Sequence, residues 1–228
     1  MSKVSKYYDS DRIAKAVRDG KHRLAIGDMW DEIGGLQISF MREQGLEPQD
    51  SLLDIGCGSL RGGVRFIEYL DPGNYFGIDA NQSLIDAGYD IELSDSGLQE
   101  KLPITNLLCD RDFKFERFGR SFDFALALSV FTHLPLNHVR VCLEKLSPYM
   151  AEGGRFFATY FEIPDSQPTF EPRLQQPGGL TTYATREPYH YRFSDFTWLA
   201  GTQGWRVERV ADFPHPRNQK MLRFDPDP

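Results

Sequence analysis

The sequence is short of cysteine, of net positive charge and of long apolar runs. Its three cysteines, Cys57, Cys109 and Cys142, are scattered without metal-type spacing, so no zinc site or disulfide framework is expected. Free thiols in a reducing compartment fit them. Lys and Arg number 26 against 33 Asp and Glu, a net charge of -7, which gives no global attraction to a phosphate backbone or an anionic membrane. No local basic patch offsets this, so no nucleic-acid partner is expected. The longest near-continuous apolar run, Phe124 to Phe131, is far too short to span a bilayer. Met1 to Lys6 leads into polar and tyrosine residues, which does not support a secretory signal and points to a cytoplasmic protein without a membrane partner.

What is present is a chain of 228 residues with 40% apolar content, enough for one well-buried domain. The stretch Ser51-Leu-Leu-Asp-Ile-Gly-Cys-Gly-Ser-Leu-Arg-Gly-Gly63 organises it: an apolar strand runs into a glycine-dense turn and then a helix. Side chains cannot intrude at Gly56 and Gly58, so a ligand can approach the backbone and the free N–H groups of the following helix. A dinucleotide fingerprint is disfavoured, because Arg61 stands where its third glycine belongs. Two carboxylates remain at adjacent strand ends, Asp54 and, in Tyr75-Phe-Gly-Ile-Asp79, Asp79. They suit a ligand with an amine and a ribose diol, the diol falling to Asp79.

From Asp50 onward strand and helix alternate: strands over 51–55, 75–78, 104–109, 122–128 and 155–161, helices over 61–70, 81–93 and from Leu136 to Met150, then a helix over 194–203 and closing strands over 205–210 and 219–224. That order predicts a parallel α/β sheet. Two helices precede it, Asp11 to Asp19 and about Asp28 to Gln44, each ended by glycine. The tail Phe224 to Pro228 is expected to fray.

Leu53-Asp-Ile-Gly-Cys-Gly58 with Gly77-Ile-Asp79 resembles motifs I and post-I of the class I S-adenosylmethionine (SAM) dependent methyltransferases, the resemblance covering about residues 46 to 224. Many members carry a further glycine where this chain has Leu60. The resemblance implies an α/β fold: a doubly wound, mostly parallel, seven-stranded Rossmann-like sheet with helices on both faces. Residues 1–45 form an N-terminal helical extension and 46–228 the core, with an acceptor-side insertion at about 163–191. It also implies SAM as cofactor, with S-adenosylhomocysteine (SAH) as product. Asp54, Gly56 and Gly58, with Arg61, are assigned to the methionine end, Asp79 to the ribose, and Asp110, with Asp112 as a competitor, to the adenine amino group. The backbone at Ala80 and Arg111 is assigned to the ring, and Ser129 is the first residue beyond the fourth strand on the cofactor side.

The stretch Ser129-Val-Phe-Thr-His133 lacks the Asn/Asp-Pro-Pro-aromatic turn of nucleobase-amine methyltransferases and the Pro-Cys of pyrimidine-carbon ones. An Asp/Asn cluster for a metal is also missing. What remains is transfer to a small-molecule acceptor, a hydroxyl of a sugar or natural product, with a small amine as the alternative. His133 is the first candidate base, since a neutral imidazole can relieve a hydroxyl of its proton, although a positioning role is also open. His190 is the second. The insertion carries Pro164, Pro168, Pro172, Pro177 and Pro188, so it is no regular helix or central strand. It is read either as an acceptor pocket or as a surface loop or homodimer contact. Arg173, Tyr183, Tyr191 and Arg192 are its candidate acceptor contacts. Tyr8 and Trp30 are added from the N-terminal region, which either folds over the cofactor or packs on the sheet. A non-catalytic SAM-binding protein remains a further alternative.

Overall fold

A computed structural model describes residues 5–227; Met1 to Val4, on which part of the secretory-signal reading rests, and Pro228 of the expected tail lie outside the described residues. The chain divides into two compact units, up to Lys114 and from Phe115.

The first unit opens on helices. Asp9 accepts the Arg12 N–H and so starts α1 (Ser10–Arg18), and Gly20, at φ +69, turns the chain after it. A single turn, α2 (His22–Ala25), precedes α3 (Trp30–Glu43). The expected start of this helix at Asp28 moves to Trp30, because Asp28 and Met29 take left-handed backbone conformations, φ 56 and 55, that a helix cannot include. Its buried face, Ile33, Gln37, Phe40 and Met41, recurs at helical spacing.

Three parallel strands follow: β1 (Leu52–Ile55), β2 (Tyr75–Asp79) and β3 (Leu107–Cys109), with β2 in the middle. β1 is buried at every residue, so its run is apolar rather than alternating, with Asp54 the exception. β3 is shorter than expected because Ile104–Asn106 form a 3-10 turn, pinned by the Asn106 amide donating to the carbonyls of Gly73 and Tyr75. α4 (Gly63–Tyr69) connects β1 to β2. After β2 the expected single helix breaks up: α5 (Gln82–Ala87) widens into a π-helical stretch, Gly88–Leu93, before α6 (Ser94–Ser96). Glu92 on that stretch is buried and meets His22 Nε2 at 2.7 Å and Arg23 Nε and Nη2 at 2.7 Å each, which ties α2 to it.

The second unit is built on β4 (Phe122–Ala127) parallel to β5 (Met150–Glu162), with β10 (Lys220–Pro226) antiparallel to both β5 and β9 (Trp205–Val210). α7 (Leu136–Leu146) lies between β4 and β5 in sequence, and α8 (Phe193–Thr202) precedes β9. β5 begins at Met150 rather than Arg155, since Met150 already pairs with Phe122 and a register shift absorbs Gly153 and Gly154. Phe131, Phe156, Phe196, Trp205 and Phe224 interlock as a buried aromatic core, and the Trp205 indole N–H donates to the Leu143 carbonyl at 3.0 Å. The frayed tail is corrected over most of its length: the β9 ladder runs to Pro226, and Phe224 is fully buried.

The insertion is ordered. β6 (Arg173–Gln175) and β7 (Leu180–Thr182) form a hairpin, and β8 (His190–Tyr191) adds a short parallel pairing to β5. Its prolines fall outside these strands, which is where residues lacking an N–H are tolerated.

Candidate active site

In the first unit the strand-end carboxylates meet at the glycine turn. Gly56 and Gly58 both take left-handed conformations, φ 75 and 56, and the Gly56 N–H donates to the Ile78 carbonyl at 2.7 Å, folding the turn back onto β2. A Cβ on Gly58 would in addition stand 3.0 Å from Ile26 Cγ2, a tight contact that the Ile26 side chain would have to relieve. Asp79 receives the Gly58 N–H on one oxygen, 3.0 Å, and the Asn81 N–H on the other, 2.9 Å. Each oxygen keeps one further acceptor position, which is what a ribose diol requires.

Asp54 is 3% exposed and accepts the Tyr75 hydroxyl on Oδ2 at 2.8 Å. Oδ1 makes no hydrogen bond among the described residues, and it is not sealed from solvent. Burial pushes the Asp54 carboxyl up to about 7, the Tyr75 bond opposes this, and the Asp79 charge adds to it. Asp79 is raised by burial as well and held back by its backbone N–H donors. A buried and a half-buried carboxylate on adjacent strands favour a cationic, hydroxyl-bearing ligand.

The other residues assigned to the cofactor turn elsewhere in part. Arg61 donates to the Asp28 carbonyl at 2.8 Å and to that of Ile26 at 3.4 Å, so its guanidinium anchors the loop between α2 and α3. Asp110 closes its own loop, accepting the N–H groups of Asp112 and Lys114 on Oδ1. The Arg111 side chain reaches the Ala80 carbonyl at 3.1 Å and the Ser10 hydroxyl, and its guanidinium lies 5.2 Å from the Tyr8 ring. Tyr8 returns a bond to the Arg111 carbonyl at 3.4 Å, and Asn81 holds the Tyr7 carbonyl at 2.8 Å. The segment before α1 is therefore docked on the residues after β2 and β3. Trp30 stacks under Arg23, 4.4 Å from the guanidinium.

In the second unit, Ser129 follows β4 in a left-handed conformation, φ 61, unusual for a residue with a side chain. Its N–H donates to Thr159 Oγ1 at 2.6 Å, its hydroxyl to Gln219 Oε1 at 3.1 Å, and the Thr132 hydroxyl closes the turn on the Ser129 carbonyl at 2.9 Å. His133 ends this turn. Its Nδ1 stands 2.9 Å from Glu187 Oε2, and the Tyr189 N–H donates to the Thr132 carbonyl at 2.7 Å, so the loop before β8 is fastened to the turn twice.

His190 is a different kind of histidine. It is 1% exposed, with Nε2 at 2.8 Å from the Thr169 carbonyl and Nδ1 at 2.9 Å from the Thr182 hydroxyl. A carbonyl only accepts, so Nε2 carries the proton and Nδ1 accepts from Thr182. Both nitrogens are committed, and the expectation of a second base is corrected to a structural role. Tyr191 is corrected in the same way, while Arg192 stays partly exposed. The Tyr191 hydroxyl is buried against the Leu134 carbonyl, and Arg192 starts α8, its N–H on Asp195 and its guanidinium on the Gln167 carbonyl. Tyr183 lies under Arg186 at 3.7 Å, and Arg173 pairs with Thr182 in the hairpin.

Residues 53–156 match a family model described as a methyltransferase domain. That stretch, from β1 into β5, is similar to a methyltransferase domain. The chain's fold is that of solved methyltransferases. The CcbJ methyltransferase of Streptomyces caelestis matches with TM-score 0.70 at 12% identity, over 97% of this chain and 98% of that one. The magnesium protoporphyrin IX methyltransferase of Synechocystis PCC 6803, solved with bound SAM, matches with TM-score 0.61 at 13% identity, over 92% and 95%. A SAM-dependent methyltransferase of Clostridium acetobutylicum ATCC 824 matches with TM-score 0.60 at 14% identity, over 94% and 98%. At such identities the likeness is one of fold. The mostly parallel α/β class expected from the sequence is thus the observed one.

Beyond the matched stretch, the second unit holds residues that sequence reasoning missed: Glu187, Thr159 and Gln219. Glu187 carries no motif, and only the folded loop brings it to His133. Gln219 lies 90 positions from Ser129 in sequence, a separation no local pattern reports. Among the described residues no helix is long and apolar enough to cross a membrane.

Proposed function

We propose that this chain is a SAM-dependent methyltransferase acting on a hydroxyl of a small-molecule acceptor, with His133 as the base and Glu187 orienting it. When bound, SAM supplies a methyl group on a sulfonium, open to in-line displacement. Asp54, through Oδ1, would hold its ammonium, Asp79 its ribose diol, and the bare backbone at Gly56 and Gly58 its methionine end. The donor set fits: two carboxylates with unfilled acceptor positions beside a turn that excludes side chains.

The observation that carries the hydroxyl reading is the 2.9 Å contact between His133 Nδ1 and Glu187 Oε2. A carboxylate only accepts, so it keeps the proton on Nδ1 and makes Nε2 the basic nitrogen. A hydroxyl must lose its proton as it attacks, and Nε2 would take it. The carboxylate stabilises the imidazolium that results.

The test is incubation of the purified chain with methyl-labelled SAM and a pooled panel of nucleotide sugars, glycosylated metabolites, phenols, amines and carboxylates, read by mass spectrometry. The expected product carries the label on oxygen, and His133→Ala lowers kcat on it by about 100-fold or more. A label on nitrogen that survives His133→Ala would replace the hydroxyl reading with N-methylation. Tight SAM binding without any labelled product would favour a non-catalytic binding protein.

A further inference from the structure

Gln219 stands just before β10, is 3% exposed, and uses one atom for two bonds: its Oε1 accepts the Thr159 hydroxyl at 2.6 Å and the Ser129 hydroxyl at 3.1 Å. The proton count fixes which way the amide faces. Thr159 Oγ1 already accepts the Ser129 N–H at 2.6 Å, so its own proton must go to an acceptor, and Oε1 is the one present. The flipped amide would point N–H at both hydroxyls and leave the Thr159 proton aimed at a donor. With Oε1 fixed, Nε2 and its two protons face away from the network. Among the described residues Nε2 makes no hydrogen bond, and it is not sealed from solvent. A buried side chain held this firmly, with an open donor at its far end, is a preorganised recognition group.

Its location sets what it recognises. β10 runs antiparallel to β5, pairing Met221 with Thr159, so Gln219 lies near the carboxyl end of β5. Ser129 lies at the carboxyl end of β4, where open α/β sheets bind their ligands. Ser129 and His133 belong to one stitched turn, closed by the Thr132 bond to the Ser129 carbonyl at 2.9 Å. We infer that the Gln219 amide is a specificity-determining donor that binds a second oxygen of the methyl acceptor, one beside the hydroxyl that His133 deprotonates. The acceptor class is then a vicinal diol or hydroxy-carbonyl compound rather than an isolated alcohol or an amine. Ser129 is the positioning residue: its left-handed backbone turns the N–H onto Thr159 while its hydroxyl takes Oε1.

This inference rests on the hydroxyl reading above, and the experiment separates the two. The full chain and its Gln219→Glu variant are compared with methyl-labelled SAM on matched acceptors: catechol against phenol, and nucleotide sugars bearing a vicinal diol against their deoxy counterparts. Gln219→Glu retains an oxygen for both hydroxyls, so the network survives while the donor becomes an acceptor. Parallel titrations with SAH follow the cofactor side, and thermal melting follows the fold. The wild type is expected to favour the compounds with a second oxygen, and the variant to lose kcat/KM on those by about 10- to 100-fold while SAH affinity stays within about twofold. Amines should rise relative to diols in the variant's product spectrum. Unchanged acceptor preference in Gln219→Glu overturns the inference and leaves the hydroxyl reading standing. A fall in SAH affinity equal to the fall in activity also overturns it and assigns Gln219 to the cofactor. A wild type that labels none of these compounds overturns both.

Discussion

Asp54 keeps a carboxyl in a place where its charge is costly. Its pKa of about 7 means that near neutrality it is only part ionised without a ligand. A cationic ligand favours the ionised form, so SAH affinity should fall by up to tenfold per unit as pH drops below about 7. Titration calorimetry from pH 6 to 8 checks this, and Asp54→Asn should flatten the profile. The same shift bears on the ligand-free fold. A carboxyl raised from 3.8 to about 7 on folding adds stability that is fully present below 3.8 and is lost as pH rises through about 7. Ligand-free thermal melting should therefore weaken across that window, provided the other groups are matched by the Asp54→Asn control. Asp54 and Asp79 were legible in the sequence because they follow apolar runs that can only be strands. The roles of His190 and Tyr191 were not, since the carbonyls of Thr169 and Leu134 that occupy them come from turns the sequence does not mark.

At the scale of elements, the N-terminal helices depend on a carboxylate from a distant segment. Glu92 is the shared partner of His22 and Arg23, and Arg23 in turn stacks on Trp30. Arg23 is half exposed, so the pair is worth less than a sealed one; Glu92→Ala is expected to cost about 1–3 kcal/mol. Hydrogen exchange should quicken first in 21–30, ahead of β1 and β2. Uniform quickening across the first unit would show that the clamp supports the sheet instead. β1, β2 and β4 were legible to within a residue or so because their apolar runs are bounded by glycine and polar turns, whereas a 3-10 turn shortened β3 and a register shift lengthened β5. The π-helical stretch was not, since its Glu92 is buried against His22 and Arg23, some 70 positions away in sequence.

For the molecule as a whole, ligand binding should register as stability. Saturating SAH at 100 times its Kd adds about 2.7 kcal/mol. In a chain of this size that raises Tm by about 5–10 °C. Asp79→Ala should remove most of the shift by deleting the ribose contact, and a full shift in that variant would dismiss the assignment of Asp79 to the diol. The fold class followed from the alternation of strands and helices, a global pattern written along the chain. The acceptor side was harder to read: its insertion is a hairpin held by Gln175, Thr182 and His190, polar residues that could equally have faced water.

Leu60 occupies a glycine's conformation, φ 65, yet is fully buried. Its side chain is housed by two bare positions: a Cβ on Gly63 would stand 2.9 Å from Leu60 Cβ and Cδ2, and one on Gly88 would stand 2.7 Å from its Cγ. The three positions form one packing unit, a leucine at 60 that needs glycine at 63 and 88. Leu60→Gly would release about 1–2 kcal/mol of backbone strain but forfeit about 3–5 kcal/mol of burial. Placing a glycine at 60 would therefore weaken this protein, and any graft of its turn into another protein must carry all three residues together.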